Sequence, residues 1–254
     1  MPEFAKYIVF LHPQFTIFMS FSNNNYSGQP ATSVTTNLII INVLMLAADF
    51  VLERRGISLS DYLGLHYFDA SHFHNWQYVT YMFMHGSFYH LFTNMFSLYM
   101  FGRLLEEVWG SSRFLIYYLV CGVGAAIIQQ AAWRLGIINT LLSQIRLEDA
   151  GYTYGQLLQE GSSLLDRLVT IGASGSVFGV LLAFGMMFPN ARIFLLFPPM
   201  PLKAKWLVVG YGLFELFCGV SSTGDGIAHF AHLGGMLFGF ILIMMWRHDR
   251  RTEF

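Results

Sequence analysis

The chain has 254 residues, 55% of them hydrophobic and 17% aromatic, while only 11% are charged and the formal net charge is −1. Such a composition belongs to a membrane protein rather than a soluble globule, and the absence of a basic run leaves no electrostatic footprint for nucleic acid. The two cysteines, Cys121 and Cys218, both lie in apolar runs, which excludes a disulfide framework and zinc-type cysteine spacing and leaves each thiol as a small hydrophobe.

Residues 1–31 combine short apolar pieces with Pro13 and the polar run SNNNYSGQP. They are expected to form a lead-in, interfacial or loosely ordered, rather than a span. Six apolar runs follow, over about 35–53, 82–102, 114–133, 169–188, 203–220 and 227–246, each near the roughly 20 residues that cross a ~30 Å hydrocarbon core. They recur along the whole chain, so a cleaved leader does not account for them. The expected fold is an all-α membrane protein, one bundle of six transmembrane helices whose backbone polar groups are satisfied inside each helix. Residues 136–167, between the third and fourth runs, read as an amphipathic, surface-lying connection.

The basic residues set the orientation. Lys6, Arg103, Arg113, Arg192, Lys203, Lys205, Arg247, Arg250 and Arg251 fall on one side of such a bundle, and Arg54, Arg55, Arg134, Arg146 and Arg167 on the other. The richer side, with both termini, is expected to be cytoplasmic. Spans two, four and six then run from the outer face inward, and they carry the polar residues: His85, His90 and Asn94; Ser174; His229 and His232.

The depths of these residues agree. Ser174 precedes the last apolar residue of its span, Phe188, by fourteen positions, and His232 precedes Trp246 by the same number, which is roughly 21 Å at the helical rise. His90 lies about 18 Å above Gly102, with Asn94 one turn lower on the same face. Taken singly, Ser174 reads as a packing serine and Gly172, Gly175 and Gly179 as sites of close helix approach, while His85 and His229 read as histidines that bond to loops. Taken together, a nucleophile, a base and two hydrogen-bond donors at one level of three spans are the parts needed for acyl transfer.

A serine hydroxyl is a weak nucleophile until an imidazole accepts its proton, and the same imidazole later protonates the leaving amine. Ser174 and His232 fit these roles. The oxyanion of the tetrahedral intermediate needs preorganised donors, for which His90, the Asn94 amide and the Ser174 backbone N–H are candidates. A serine that opens its helix also sits at the positive end of the macrodipole. Gly172 and Gly175 permit a tight chain reversal there, and Gly235 and Gly239 give span six a small-residue face to press against Gly175 and Gly179. No acidic residue in spans two, four and six lies at the depth of His232, so the site reads as a dyad, with Phe178 stacking on the histidine ring. A metal carrier built on His85, His90, His229 and His232 is the competing chemistry, with Glu215 in span five the only acidic residue near it.

Three segments resemble the rhomboid intramembrane serine proteases over roughly residues 35–246: Gly172-Ala173-Ser174-Gly175, Ala231-His232-Leu233-Gly234-Gly235 with Gly239, and HGSFYHLFTN from His85 to Asn94. The resemblance implies a six-helix rhomboid membrane domain over 32–254. It also implies a Ser174–His232 dyad in a water-accessible cavity opening to the extracytoplasmic side, with a bacterial inner membrane the expected location, and an oxyanion hole using His90 and Asn94. A membrane-embedded first loop over about 56–81 is implied as well, with a mobile fifth span and cap loop over about 203–226. Trp76 stands where the family often has a Trp-Arg pair, but Gln77 follows it, and Phe178 stands where a tyrosine is also common. The activity implied is a serine endopeptidase that cuts transmembrane-helix proteins in the lipid bilayer, with no cofactor, metal or nucleic acid. The alternative is a catalytically silent rhomboid-like protein that binds membrane helices; such proteins typically lack the serine or the histidine, and both are present here.

Overall fold

The computed structural model describes residues 6–12, 15–21, 33–148, 165–196, 199–221 and 228–252. Over these residues the chain is mostly helical, and two small antiparallel sheets accompany the helices.

Helix α1 (Val34–Glu53) starts where Ser33 accepts the Thr36 N–H on its hydroxyl, the usual way of satisfying an orphan donor at a helix start. A second cap comes from far along the chain. Glu106 accepts the N–H groups of Val34 (2.7 Å) and Thr35 (2.9 Å) and the hydroxyls of Thr35 and Ser111 (2.6 Å each). Its carboxylate therefore neutralises the positive end of α1 while fixing that end against the start of a later helix. Half of α1 is exposed and little of it is buried, as expected of a helix whose solvent is lipid.

After α1 the chain forms a short helix, α2 (Leu59–Leu63), and a two-residue strand, β1 (Leu65–His66). Gln77 opens the one-turn helix α3 (Gln77–Thr80) and is fully buried. Its carbonyl accepts the His66 N–H, and its amide donates to the Tyr62 and His72 carbonyls. Gln130 completes the loop's bonding by accepting from Phe68 N–H and donating to the His66 carbonyl. The residue that departs from the family's Trp-Arg pair thus ties the first loop together through neutral hydrogen bonds.

The second apolar run is not one uninterrupted helix. A 3₁₀ turn at Tyr81–Phe83 precedes α4 (Phe88–Ser97), capped by Ser87, and a π turn at Leu98–Gly102 leads into α5 (Arg103–Trp109). Helix α6 spans Ser111–Glu148. It thereby runs through the first part of the 136–167 segment expected to be a surface-lying connection. No proline or glycine occurs between Gly136 and Glu148, so nothing in that stretch breaks the helix. Residues 149–164 lie outside the described residues.

The fourth run also differs from the expected span. Val169–Thr170 is strand β2, paired antiparallel with β1 (Leu65 opposite Thr170, His66 opposite Val169), and α7 (Ser174–Met187) begins only after it. Helices α8 (Ala204–Ser221) and α9 (His229–Thr252) complete the helical part. Four helical stretches, Val34–Glu53, Ser111–Gly136, Ala204–Ser221 and His229–His248, are long and apolar enough to cross a membrane, and α7 is apolar but shorter.

The second sheet adds a β element to a chain that is mostly helical, as expected. Strands β3 (Arg192–Leu196) and β4 (Pro199–Lys203) form a hairpin, and Lys6–His12 and Phe15–Phe21 form another that pairs with it, Phe18 opposite Phe194. The alternating aromatic and β-branched residues of TIFMSF and KYIVFLH favour extended chain, so these two segments of the lead-in are strands. The rest of 1–31 lies outside the described residues.

Helix α7 is the centre of the bundle, its glycines taking neighbours at backbone distance. Tyr117 donates to the Gly179 carbonyl (2.8 Å) and Ser176 to the Tyr118 carbonyl (2.9 Å). A methyl group at Gly235 would overlap the Gly175 carbonyl, so α9 crosses α7 with backbones touching. Gly239 instead faces Tyr117 and Cys121 of α6. Of the two glycines expected to meet α7, one meets α6, because α9 lies in the groove between them.

Glu106 carries a pH dependence. Burial pushes its pKa up, but the hydrogen bonds from Ser111, Thr35 and Val34 outweigh this and hold the carboxyl below the usual carboxylate range. The stabilisation is therefore complete above the unfolded carboxylate pKa and is lost as pH falls through the lower folded value. Thermal unfolding in detergent should show Glu106→Gln with a lower midpoint than wild type at pH 7, by the equivalent of about 1–3 kcal/mol. The gap should close in acid; equal midpoints at pH 7 would refute the capping role.

Candidate active site

The site begins at the chain reversal before α7. Gly172 has φ 131°, a conformation that side chains with a Cβ rarely adopt, and its N–H donates to the Tyr81 carbonyl at 2.9 Å. A methyl group at Gly172 would lie 2.8 Å from the His90 ring and 3.7 Å from Ser174 Oγ. The bare α-carbon thus leaves room for the His90 imidazole, while the Ser174 hydroxyl lies at ordinary contact distance from the same position. Ser174 is the first residue of α7, so unsatisfied N–H groups and the positive helix end surround its hydroxyl.

His232 comes from the first turn of α9. Its Nε2 is 2.8 Å from Ser174 Oγ, a hydrogen-bond distance. The ring stacks on Phe178, one turn along α7, with centroids 4.2 Å apart and planes 6° from parallel. Tyr211 of α8 meets the Phe178 ring edge-on, at 6.0 Å and 85°. The imidazole thus lies flat on a ring that Tyr211 meets edge-on, and this contact follows from the Gly175–Gly235 crossing one turn away.

The other polar residues stand close by. His85 is buried and sets its ring edge-on to His90, with centroids 4.9 Å apart. Asn94 is buried on α4, and its amide donates to the His90 carbonyl at 2.9 Å, which commits one of its two N–H groups to its own helix.

One residue at this level was named in the sequence reading only in connection with a metal carrier, and was left out of the dyad. Glu215 of α8 is buried, with Oε2 2.6 Å from His229 Nδ1 and 2.9 Å from His232 Nδ1. The depth count covered only spans two, four and six. Applied to span five, it puts Glu215 six residues below Ser221, or about 9 Å beneath the outer helix end, level with Ser174. Among the described residues, Glu215, His229 and His232 also form the one group able to offer a metal three ligands, with ligating atoms within 4.8 Å of one another. Ligands sharing a tetrahedral ion at about 2.0–2.1 Å stand roughly 3.3 Å apart. The closer spacings here are those of a hydrogen-bonded carboxylate.

A family model described as the Rhomboid domain matches residues 72–248. The chain belongs to the rhomboid family. Among named relatives, it is 28% identical over 229 residues to "Rhomboid-like protein 11, chloroplastic" of Arabidopsis thaliana, covering 82% of this chain and 63% of that protein. It is 29% identical over 176 residues to "Rhomboid protein 1, mitochondrial" of Saccharomyces cerevisiae, covering 67% and 41%. To "Presenilin-associated rhomboid-like protein, mitochondrial" of Bos taurus it is 26% identical over 198 residues, covering 67% and 42%. The chain therefore spans less than two thirds of the length of these rhomboid relatives. The rhomboid family includes both intramembrane serine proteases and inactive rhomboid-like proteins. These relatives are mitochondrial or chloroplastic, so the expectation of a bacterial inner membrane draws no support from them.

Gly172 provides a direct test of the geometry. Gly172→Ala forces a Cβ into a strained conformation, costing on the order of 1–3 kcal/mol, and drives it against the His90 ring. The variant should remain folded by circular dichroism with a lower melting midpoint. Reaction of Ser174 with a fluorophosphonate probe should slow by about tenfold or more; an unchanged rate would mean that the Gly172 conformation does not organise the site.

Proposed function

We propose that this rhomboid is an intramembrane serine endopeptidase that hydrolyses peptide bonds in or beside the transmembrane helices of other membrane proteins. The observation that carries the proposal is the Ser174 hydroxyl at a helix start, 2.8 Å from the Nε2 of a histidine stacked on Phe178. Both groups are fixed by elements that belong to the same buried crossing.

In the proposed reaction, Ser174 Oγ attacks the scissile carbonyl carbon while its proton passes to His232 Nε2. The carbonyl oxygen becomes an oxyanion, which accepts hydrogen bonds from the Ser174 backbone N–H, the His90 ring and the Asn94 amide. As the intermediate collapses, the C–N bond breaks and His232 gives its proton to the leaving amine. Water then attacks the acyl-serine, again losing a proton to His232, and the new carboxyl group leaves as Ser174 is restored. The residues needed are all supplied by this chain, and neither metal nor cofactor takes part. Substrate helices must unwind before a carbonyl can be reached, which favours helix-breaking or small residues near the cut.

The membrane arrangement proposed is a six-span bundle, with the broken stretch from the 3₁₀ turn at Tyr81 through α4 to the π turn ending at Gly102 as second span and the short α7 as fourth. Helix α7 alone is roughly 21 Å long, so the strand and turn before it complete the crossing, and non-helical backbone at that depth is tolerated because it is buried in protein. The end bearing Lys203, Lys205, Arg247 and the N-terminal hairpin faces the cytoplasm or its equivalent, and the site opens on the opposite face. The substrate partners are single-span membrane proteins.

Ser174→Ala and His232→Ala should each abolish cleavage of a model transmembrane substrate in liposomes, and the double variant should be little worse than either, because the two groups act as a unit. A fluorophosphonate should label Ser174 only when His232 is present. A wild-type protein that binds membrane helices yet neither cleaves them nor takes the probe would be a silent rhomboid-like protein.

The oxyanion assignment predicts a different kinetic pattern. Asn94→Ala and His90→Ala remove donors to charge that develops only in the transition state, so kcat should fall on the order of 10²-fold with KM nearly constant. A raised KM with unchanged kcat would make Asn94 a docking or packing residue instead.

A further inference from the structure

We propose that Glu215 is a positioning residue for His232, making the site a Ser174–His232–Glu215 triad whose acidic member comes from α8. The proposal rests on the protease reading above and extends it to a residue of a fourth element.

A carboxylate inside an apolar bundle is costly unless its charge is paired and its lone pairs are used. Glu215 is buried in the upper part of α8, and the groups facing it there are two imidazoles. His229 Nδ1 makes the directed bond, at 2.6 Å. The same oxygen, Oε2, lies 2.9 Å from His232 Nδ1, an ion-pair distance at which the ring's N–H axis points aside from the oxygen. His229 thus holds the carboxylate in place on the side of His232 away from the serine. Among the described residues, Tyr211, one turn before Glu215 on α8, and His90, across the site from His232, are further titratable side chains that sense this cluster.

This arrangement has two chemical consequences. A carboxylate beside Nδ1 favours the tautomer with the proton there, which leaves Nε2 with the lone pair needed to accept the Ser174 proton. It also stabilises the imidazolium that forms when the proton arrives, and that charge exists only along the reaction path. A residue that merely glued α8 to α9 would do neither. Because Glu215 stands on a helix other than those of Ser174 and His232, the site is complete only when α8 is packed against α9. Gly212, facing Met236, and Gly219, facing Phe230 and His229, permit that packing.

The test uses full-length protein in liposomes, with a transmembrane model substrate and a fluorophosphonate probe. Glu215→Gln keeps the shape and an acceptor for His229 but removes the charge. Both kcat and the rate of Ser174 labelling should fall on the order of 10²–10⁴-fold with KM nearly unchanged, while the melting midpoint stays close to wild type. Glu215→Asp should recover part of the loss. If Glu215→Gln retains kcat and labelling within about threefold of wild type, or loses activity only through KM or unfolding with no recovery by Asp, Glu215 is a helix-packing residue and the proposal is wrong. Wild-type protein that neither cleaves nor labels overturns the protease reading, and this inference with it.

Discussion

The close crossing of α7 and α9 governs the rest of the molecule. Gly235 meets the Gly175 carbonyl with no room for a methyl group, and helices that approach this closely gain dispersion contacts in a medium where hydrophobic burial offers little advantage over lipid. His232 stands just before this crossing on one helix and Ser174 just before it on the other, so a backbone contact fixes a side-chain distance. Phe178 extends the constraint by one turn, because its ring can lie flat on His232 only while the crossing holds.

The second constraint is the cost of polarity inside an apolar bundle. Three sets of buried polar side chains are gathered into small groups: Glu106 with the start of α1 and Ser111, Gln77 and Gln130 with the first loop, Glu215 with two histidines. Each group joins elements distant in sequence. The first two leave structural anchors, with every partner in a fixed loop or helix end. The third differs, since its second histidine also faces a serine.

The rhomboid family holds both proteases and inactive members, and the distinction rests on the site. Ser174 and His232 retain hydrogen-bond distance, and the positive φ at Gly172 makes room for the His90 ring. Glycine adopts that conformation without steric penalty, and burial of the polar groups beside it supports the proposed protease.

Much of this was legible in the sequence, for a definite reason. Apolar runs of membrane length are a one-dimensional signal, and residues at fixed offsets from a run's end share a depth, so Ser174, His90, Asn94 and His232 could be brought to one level by counting. The glycines around Ser174 announced a tight reversal, and α7 does begin at Ser174. What counting could not supply was the azimuth of each helix. Whether Gly239 faced α7 or α6, and whether Glu215 pointed to lipid or to His232, depends on how helices are rotated and crossed, which only the packed structure decides. The same holds for the strands: Val169–Thr170 was read as part of a span because its side chains are compatible with either state, and its pairing with Leu65–His66 is a contact between segments a hundred residues apart. The sequence by itself determined the apolar solvent, the apolar runs and the candidate residue types, because these depend on composition and local spacing. The tertiary structure alone decided which side chains meet, because that depends on distances between elements whose order along the chain says nothing of their neighbours.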